Sequence, residues 1–115
     1  MRLLIVEDNT QMRLLIKYML ADLADEITEC ADGIEVLAVY RRLQPDWVLM
    51  DIELKEMDGI TAIAQLKAAF PEARVITVTN YDHPKLREAA RQAGAGVYVL
   101  KENLLALREF LLAHR

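Results

Sequence analysis

Five short aliphatic runs recur along the chain: Leu3-Leu4-Ile5-Val6, Ile27 to Cys30, Trp47-Val48-Leu49-Met50, Val75-Ile76-Thr77-Val78 and Val97-Tyr98-Val99-Leu100. Each is followed by a stretch of helical period. Runs that are apolar on both sides describe strands buried on both faces, and a helix between successive strands is what a parallel crossover requires. The pattern predicts a doubly wound α/β sandwich of five βα units, with a parallel five-stranded sheet in the order 2-1-3-4-5.

The helices carry their own punctuation. Asn9 and Thr10 precede a stripe of Met12, Leu15, Ile16, Met19 and Leu20, and the Asp32-Gly33 turn opens a second helix on Ile34, Leu37 and Ala38 that must end before Pro45. Asp58 is the expected N-cap of a third helix bearing Ile60, Ile63 and Leu66. Leu86, Ala89, Ala90 and Ala93 mark the fourth, with Gly94 as its C-terminal cap. In the last helix Leu104, Leu107, Phe110 and Leu111 form the inward stripe, which leaves Leu105 and Leu112 on an exposed flank.

At 115 residues the chain is sized for one domain, residues 1–115, and its 54% hydrophobic and 28% charged content is that of a globular protein. The net charge of -4 comes from acids interspersed with the basic residues, which argues against direct nucleic-acid binding. One cysteine, Cys30, no signal-peptide pattern and no apolar run near the roughly 20 residues of a membrane span predict a soluble, cytoplasmic protein with no membrane contact.

In open parallel sheets ligands bind beyond the carboxyl ends of the strands. Those positions here are Glu7 and Asp8 after the first strand, Asp51 after the third, Thr79 after the fourth and Lys101 after the fifth. With strands one and three adjacent, three carboxylates converge, and each like-charge pair about 5 Å apart costs roughly 3 kcal/mol at an effective dielectric near 20. A hard divalent cation offsets that repulsion, and an all-oxygen donor set favours Mg²⁺ over Zn²⁺. Together with the Lys101 ammonium and the Thr79 hydroxyl, such a cation makes a cradle for a phosphoryl group, and a carboxylate is itself able to carry one. Asp51 is the expected phosphoacceptor.

The motifs LLIVEDN with Glu7-Asp8, MDIELKEMDG with Gly59 eight residues after Asp51, VITVT ending at Thr79, and GAGVYVLK from Gly94 to Lys101 together resemble the receiver domain of two-component response regulators. The resemblance covers essentially the whole chain. It implies the flavodoxin-like form of the fold. It implies that Asp51 takes a phosphoryl group from a sensor histidine kinase or phosphotransfer protein, with Mg²⁺ on Asp8 and Asp51, Glu7 holding it through water, and the backbone carbonyl of Glu53 completing the set. It further implies that Lys101 and Thr79 bind the phosphoryl oxygens, and that Thr79 and Tyr98 form a switch, Tyr98 turning inward. The consequence would be a changed surface on helix four, strand five and helix five that binds an output domain, a target protein or a second copy. Such a protein is a regulatory phosphoacceptor rather than an enzyme.

Several residues depart from the family pattern. Lys55 stands where proline is usual, with an ammonium expected to reach the acidic mouth. Asn80 replaces a small residue after Thr79, and Tyr81 and Glu53 occupy the positions flanking an attacking water. Lys55, Asn80, Tyr81 and Glu53 are expected to modulate the phosphoryl chemistry, with Asn80 slowing loss of the group. Glu102 follows Lys101 where proline is common, which removes the usual basis for a cis peptide. A second reading is a degenerate receiver that serves as a phosphorylation-independent interaction module. A phosphatase is disfavoured because the aspartate lies on strand three, and a flavin carrier because EDNTQMR is no phosphate loop.

Overall fold

The structure, a computed structural model, describes residues 1–115. Its strands are β1 (Arg2–Val6), β2 (Glu26–Cys30), β3 (Trp47–Met50), β4 (Val75–Thr79) and β5 (Val97–Leu100), all parallel, in the order β2-β1-β3-β4-β5. The helices are α1 (Thr10–Leu20), α2 (Val36–Leu43), α3 (Gly59–Ala69), α4 (Pro84–Ala93) and α5 (Leu104–Ala113), with 3₁₀ turns at Gly33–Glu35 and Lys101–Asn103. The expected flavodoxin-like sandwich is therefore the fold. No helix is long and apolar enough to cross a membrane.

Alternation along the strands divides the apolar residues between two cores. Leu4, Val6, Val48, Met50 and Val75 pack on one face with Val36 and Tyr40 of α2, Ile63 and Leu66 of α3 and Ala90 of α4. Leu3, Ile5, Leu49, Ile76, Val78 and Val99 pack on the other with Ile16 and Leu20 of α1 and Leu104, Leu107 and Leu111 of α5. The side chains of Leu4, Ile5, Ile63 and Ile76 are completely buried, and truncating any one to alanine would cost on the order of 2–5 kcal/mol.

Side-chain caps set the helix starts. Asn9 accepts from Met12 N–H, Asp58 from Thr61 N–H and Asn103 from Ala106 N–H. His83 does the same for Lys85 N–H in front of Pro84. Gly94 closes α4 in the left-handed conformation at φ 119°. Every peptide bond is trans, including Lys101-Glu102.

One expectation needs correction. In the second helix Ile34 is 54% exposed and Ala38 is exposed, while Val36 and Tyr40 are buried. The cause is the 3₁₀ turn at Gly33–Glu35: its three residues per turn put a stripe counted from Ile34 out of phase with the α-helix that follows. In α5, Leu105 and Leu112 are exposed as expected, and Arg108 reaches the end of α1, donating to Met19 O at 2.8 Å and to Asp22 at 2.7 Å.

One glycine controls how β3 hands over to α3. A Cβ on Gly59 would overlap the carbonyl oxygen of Asp51 and stand 2.6 Å from Ile52 Cα, and Gly59 N–H donates to Ile52 O at 3.1 Å. Gly96, by contrast, has open space where a Cβ would go. In urea denaturation, Gly59→Ala is expected to cost about 3 kcal/mol or to prevent folding, and Gly96→Ala to change stability by no more than about 0.5 kcal/mol. Equal effects would show that the close approach at Asp51 does not govern the packing.

Candidate functional site

Strand register delivers the site. Val6 lies opposite Met50, and the ladder continues one residue past the strands: Asp51 N–H donates to Val6 O and Glu7 N–H to Cys30 O, both at 3.0 Å. Glu7 and Asp51 thus leave the sheet side by side, on the face of Ile5 and Leu49. Thr79 is opposite Leu100, so Lys101 begins immediately beyond β5 and its long side chain can reach across the strand ends.

The predicted carboxylates converge. Glu7, Asp8 and Asp51 each offer one oxygen within 4.8 Å of the others. Glu7 and Asp51 are only 1% and 3% exposed, and Asp8 is half-buried. Lys101, itself buried, places Nζ 3.1 Å from Asp51 Oδ2 in a hydrogen bond and 2.6 Å from Glu7 Oε1. The latter contact is an ion pair whose angle departs from hydrogen-bond geometry. Backbone groups complete the shell, with Asn9 N–H donating to Glu7 Oε2 at 3.1 Å and Glu53 N–H to Asp51 Oδ1 at 3.2 Å.

Burial and charge pull in opposite directions here. Burial pushes the Glu7 carboxyl pKa up and neighbouring Asp51 adds to the rise, while Lys101 and the Asn9 amide only partly counter it. For Lys101 burial alone would lower the pKa, but the Glu7 and Asp51 carboxylates together outweigh it and raise it, so the ammonium stays charged. One ammonium among three carboxylates leaves a formal deficit of two positive charges. Oxygen donors of this kind, with no nitrogen or sulfur ligand beside them, fit a hard divalent cation.

The cluster opens into a cleft of about 530 Å³. Asn80 and Glu53 stand on its rim as expected, and Gln11, Met12 and Leu15 of α1 form a wall that sequence reasoning had not assigned to the site. Leu15 had been placed in the core stripe but is 46% exposed. The signal was present, because Leu14, Leu15 and Ile16 are consecutive and a helix cannot bury all three.

Thr79 is fully buried, its Oγ1 accepting from Tyr81 N–H at 3.3 Å. Tyr98 is half-buried and turned onto the loop after β4, its hydroxyl donating to Tyr81 O at 2.6 Å. Tyr81 is exposed beside an apolar groove of about 360 Å³ that also involves Ile52, Ile60 and Leu86. The adjacent Glu53 carboxylate raises the pKa of its phenol. Lys55 does not reach the acidic mouth. It is exposed and outside the cleft lining, because the loop after Asp51 is drawn toward the β2–α2 turn, where Asp32 Oδ2 accepts from Glu56 N–H at 2.9 Å. Cys30 is buried in the core, and burial pushes its thiol pKa up to about 11, which makes it unreactive.

Comparison with known proteins agrees with this geometry. The family model for the response regulator receiver domain matches residues 3–111. The chain is 37% identical over 101 residues to the chemotaxis protein CheY of Bacillus subtilis, covering 87% of this chain and 84% of CheY. It is 36% identical over 104 residues to the uncharacterized transcriptional regulatory protein YhcZ of the same organism, covering 89% of this chain but only 49% of YhcZ. The chain thus spans about half the length of that relative. Among solved structures, a two-component response regulator of the LuxR family from Aurantimonas superposes with a TM-score of 0.85 at 28% identity, covering 99% of this chain and 86% of that one.

Asp8 has no ion-pair or hydrogen-bond partner for its side chain within the protein, so neutralising it removes repulsion at little cost. In EDTA, Asp8→Asn is expected to be more stable than the wild type by about 1–3 kcal/mol. Millimolar Mg²⁺ is expected to stabilise the wild type, by about 2.7 kcal/mol at a hundredfold excess over Kd, and the variant much less. Thermal melts with and without Mg²⁺ check both effects, and an unchanged or lower melting temperature for the variant in EDTA would contradict the charge account.

Proposed function

The chain belongs to the response regulator receiver domain family, and from that premise we propose that it is a phosphorylation-activated receiver with Asp51 as its phosphoacceptor. The observation that carries the proposal is the buried cluster of Glu7, Asp8 and Asp51, with Lys101 Nζ hydrogen-bonded to Asp51 at 3.1 Å and a cleft leading in from solvent.

An Asp51 carboxylate oxygen attacks the phosphorus of a phosphohistidine on a sensor kinase or phosphotransfer protein. The O–P bond forms as the P–N bond breaks, and the imidazole nitrogen regains its lone pair. The Asp51 hydrogen bond from Glu53 N–H fixes one carboxylate oxygen and that from Lys101 the other, so the nucleophile is oriented before the donor arrives. Mg²⁺ held by Glu7, Asp8 and Asp51, with the Glu53 carbonyl beside them, would supply the positive charge that a transferring phosphoryl group requires. Lys101 then pairs with the phosphoryl oxygens, and Thr79 donates its hydroxyl to them. The protein accepts and later loses the group; it turns over no substrate of its own, and any uptake from small phosphodonors or hydrolysis is a property of the acceptor site.

The readout runs through Thr79 and Tyr98. Tyr98 packs against the α2–α3–α4 core and bonds to the backbone of the loop that Thr79 begins. A shift of Thr79 toward a phosphoryl group on Asp51 therefore moves the contacts of Tyr98, and with them the surface of α4, β5 and α5. That surface is the proposed contact for an output domain, a target protein or a second copy of the chain.

The direct test is intact mass after incubation with phosphoramidate and Mg²⁺. The wild type is expected to gain the mass of one phosphoryl group, and Asp51→Asn or wild type in EDTA none. No gain in the wild type would favour a degenerate, phosphorylation-independent interaction module. Asn80 stands at the mouth with a bulky amide, so Asn80→Ala is expected to lose the phosphoryl group several-fold faster. Equal decay would remove Asn80 as a steric gate.

A further inference from the structure

Between β4 and α4 the chain runs as the loop 80–83, which starts at the rim of the cleft. Asn80 faces the Asp51 cleft and Tyr81 the neighbouring apolar groove. The loop is tied at its two ends, where Tyr81 N–H donates to Thr79 Oγ1 at 3.3 Å and the His83 ring accepts from Lys85 N–H at 3.1 Å. Tyr98 donates its hydroxyl to Tyr81 O at 2.6 Å, and Asp82 Oδ1 accepts from Arg87 Nε at 2.7 Å. The same Arg87 guanidinium lies 4.5 Å above the centre of the Tyr98 ring. A single side chain of α4 thus touches both the loop's carboxylate and the ring whose hydroxyl holds the loop's carbonyl.

Each contact is weak alone at a wet surface. Joined in one network they restrain one another, because Arg87 cannot leave the Tyr98 face while it is paired with Asp82, and Tyr98 cannot turn away from Tyr81 O without losing the cation over its ring. Arg87 and Asp82 are both exposed, so the network contributes little to the core and much to where the loop lies.

We propose that Arg87 is a positioning residue for the phosphoryl chemistry of Asp51: by clamping Asp82 and Tyr98 together it fixes the loop that holds Asn80 at the cleft mouth and Tyr81 in the adjoining groove, and so limits the access of water to the acyl phosphate. The proposal rests on the reading of Asp51 as phosphoacceptor and adds a control on the lifetime of the phosphorylated form.

The experiment loads the protein with phosphoramidate and Mg²⁺ and times loss of the phosphoryl group by intact mass. It compares wild type, Arg87→Ala, Arg87→Lys, Tyr98→Phe and the Arg87→Ala/Tyr98→Phe pair. Arg87→Ala is expected to shorten the lifetime about fivefold, the rate equivalent of one weak surface network. Arg87→Lys keeps a cation near ring and carboxylate and is expected to stay within about twofold of wild type. The double variant is expected to be no faster than the faster single variant, because both act through one contact network. Urea midpoints should hardly move, which separates positioning from a general loss of structure.

Amide hydrogen exchange of the unphosphorylated protein reads the clamp directly, with faster exchange expected at Tyr81 and Asp82 in Arg87→Ala. A wild-type lifetime in Arg87→Ala, multiplicative effects in the double variant, or unchanged exchange overturns the proposal while leaving the phosphoacceptor reading intact. Absence of phosphoryl uptake by the wild type overturns that reading and this proposal with it.

Discussion

The burial of Lys101 among Glu7 and Asp51 is the interaction on which the rest of the site depends. A parallel sheet ends all its strands on the same edge, so side chains that follow β1, β3 and β5 are forced into proximity whatever their charge. Here the sequence places acids on the two central strands and the balancing cation on an edge strand. The ammonium can only reach them by crossing over β4. Desolvating these groups is costly, and their mutual attraction recovers part of the cost without neutralising the site. The residual negative charge suits the cleft to a hard cation, and on the proposed function to a phosphoryl group held through that cation.

Precision comes from backbone constraints rather than from the charges. Asp51 is gripped from three sides: its N–H by Val6 O, one carboxylate oxygen by Glu53 N–H, and its carbonyl by the close approach of Gly59. That last contact explains why a glycine eight residues beyond the aspartate belongs to the same motif. Gly59 has no chemistry to offer, but it lets α3 begin near enough to β3 for Asp51 to be held at the sheet edge. A side chain there would displace the nucleophile, and misplacement of about 1 Å is enough to cost a large factor in rate.

Strand positions, strand order, the Asn9 and Asp58 caps and the Glu7, Asp8, Asp51 and Lys101 cluster were legible in the sequence, because each follows from a local rule of period or punctuation combined with one rule of topology. What failed was whatever depended on phase or on a long-range contact. The α2 stripe slipped because a 3₁₀ turn precedes the helix, and single-sequence periodicity does not show where a turn tightens. Lys55 was expected at the mouth from its distance along the chain to Asp51, whereas the loop is steered by Asp32, more than twenty residues earlier.

The two sides of the sheet carry different parts of the proposed switch. Glu7 and Asp51 leave on the α1–α5 face, where charge is gathered, and Tyr98 packs on the α2–α3–α4 face, where shape is presented. Thr79 belongs to β4, which lies between Asp51's strand and Tyr98's strand, and its buried hydroxyl accepts from the loop that Tyr98 holds. On the proposed function, a dianionic group on Asp51 would act on Thr79 by charge and reach Tyr98 through Thr79 and the loop, so the response would depend on how firmly the loop is tied as well as on the chemistry at Asp51. Moving a two-state element from 1:99 to 99:1 requires about 5.5 kcal/mol of differential interaction, which new charge-assisted bonds to the phosphoryl group can supply only if few contacts resist. A loop tied by the Tyr98 hydroxyl, the Thr79 hydroxyl and the Arg87–Asp82 pair would keep a defined resting position and still follow Thr79 when a new charge moves it.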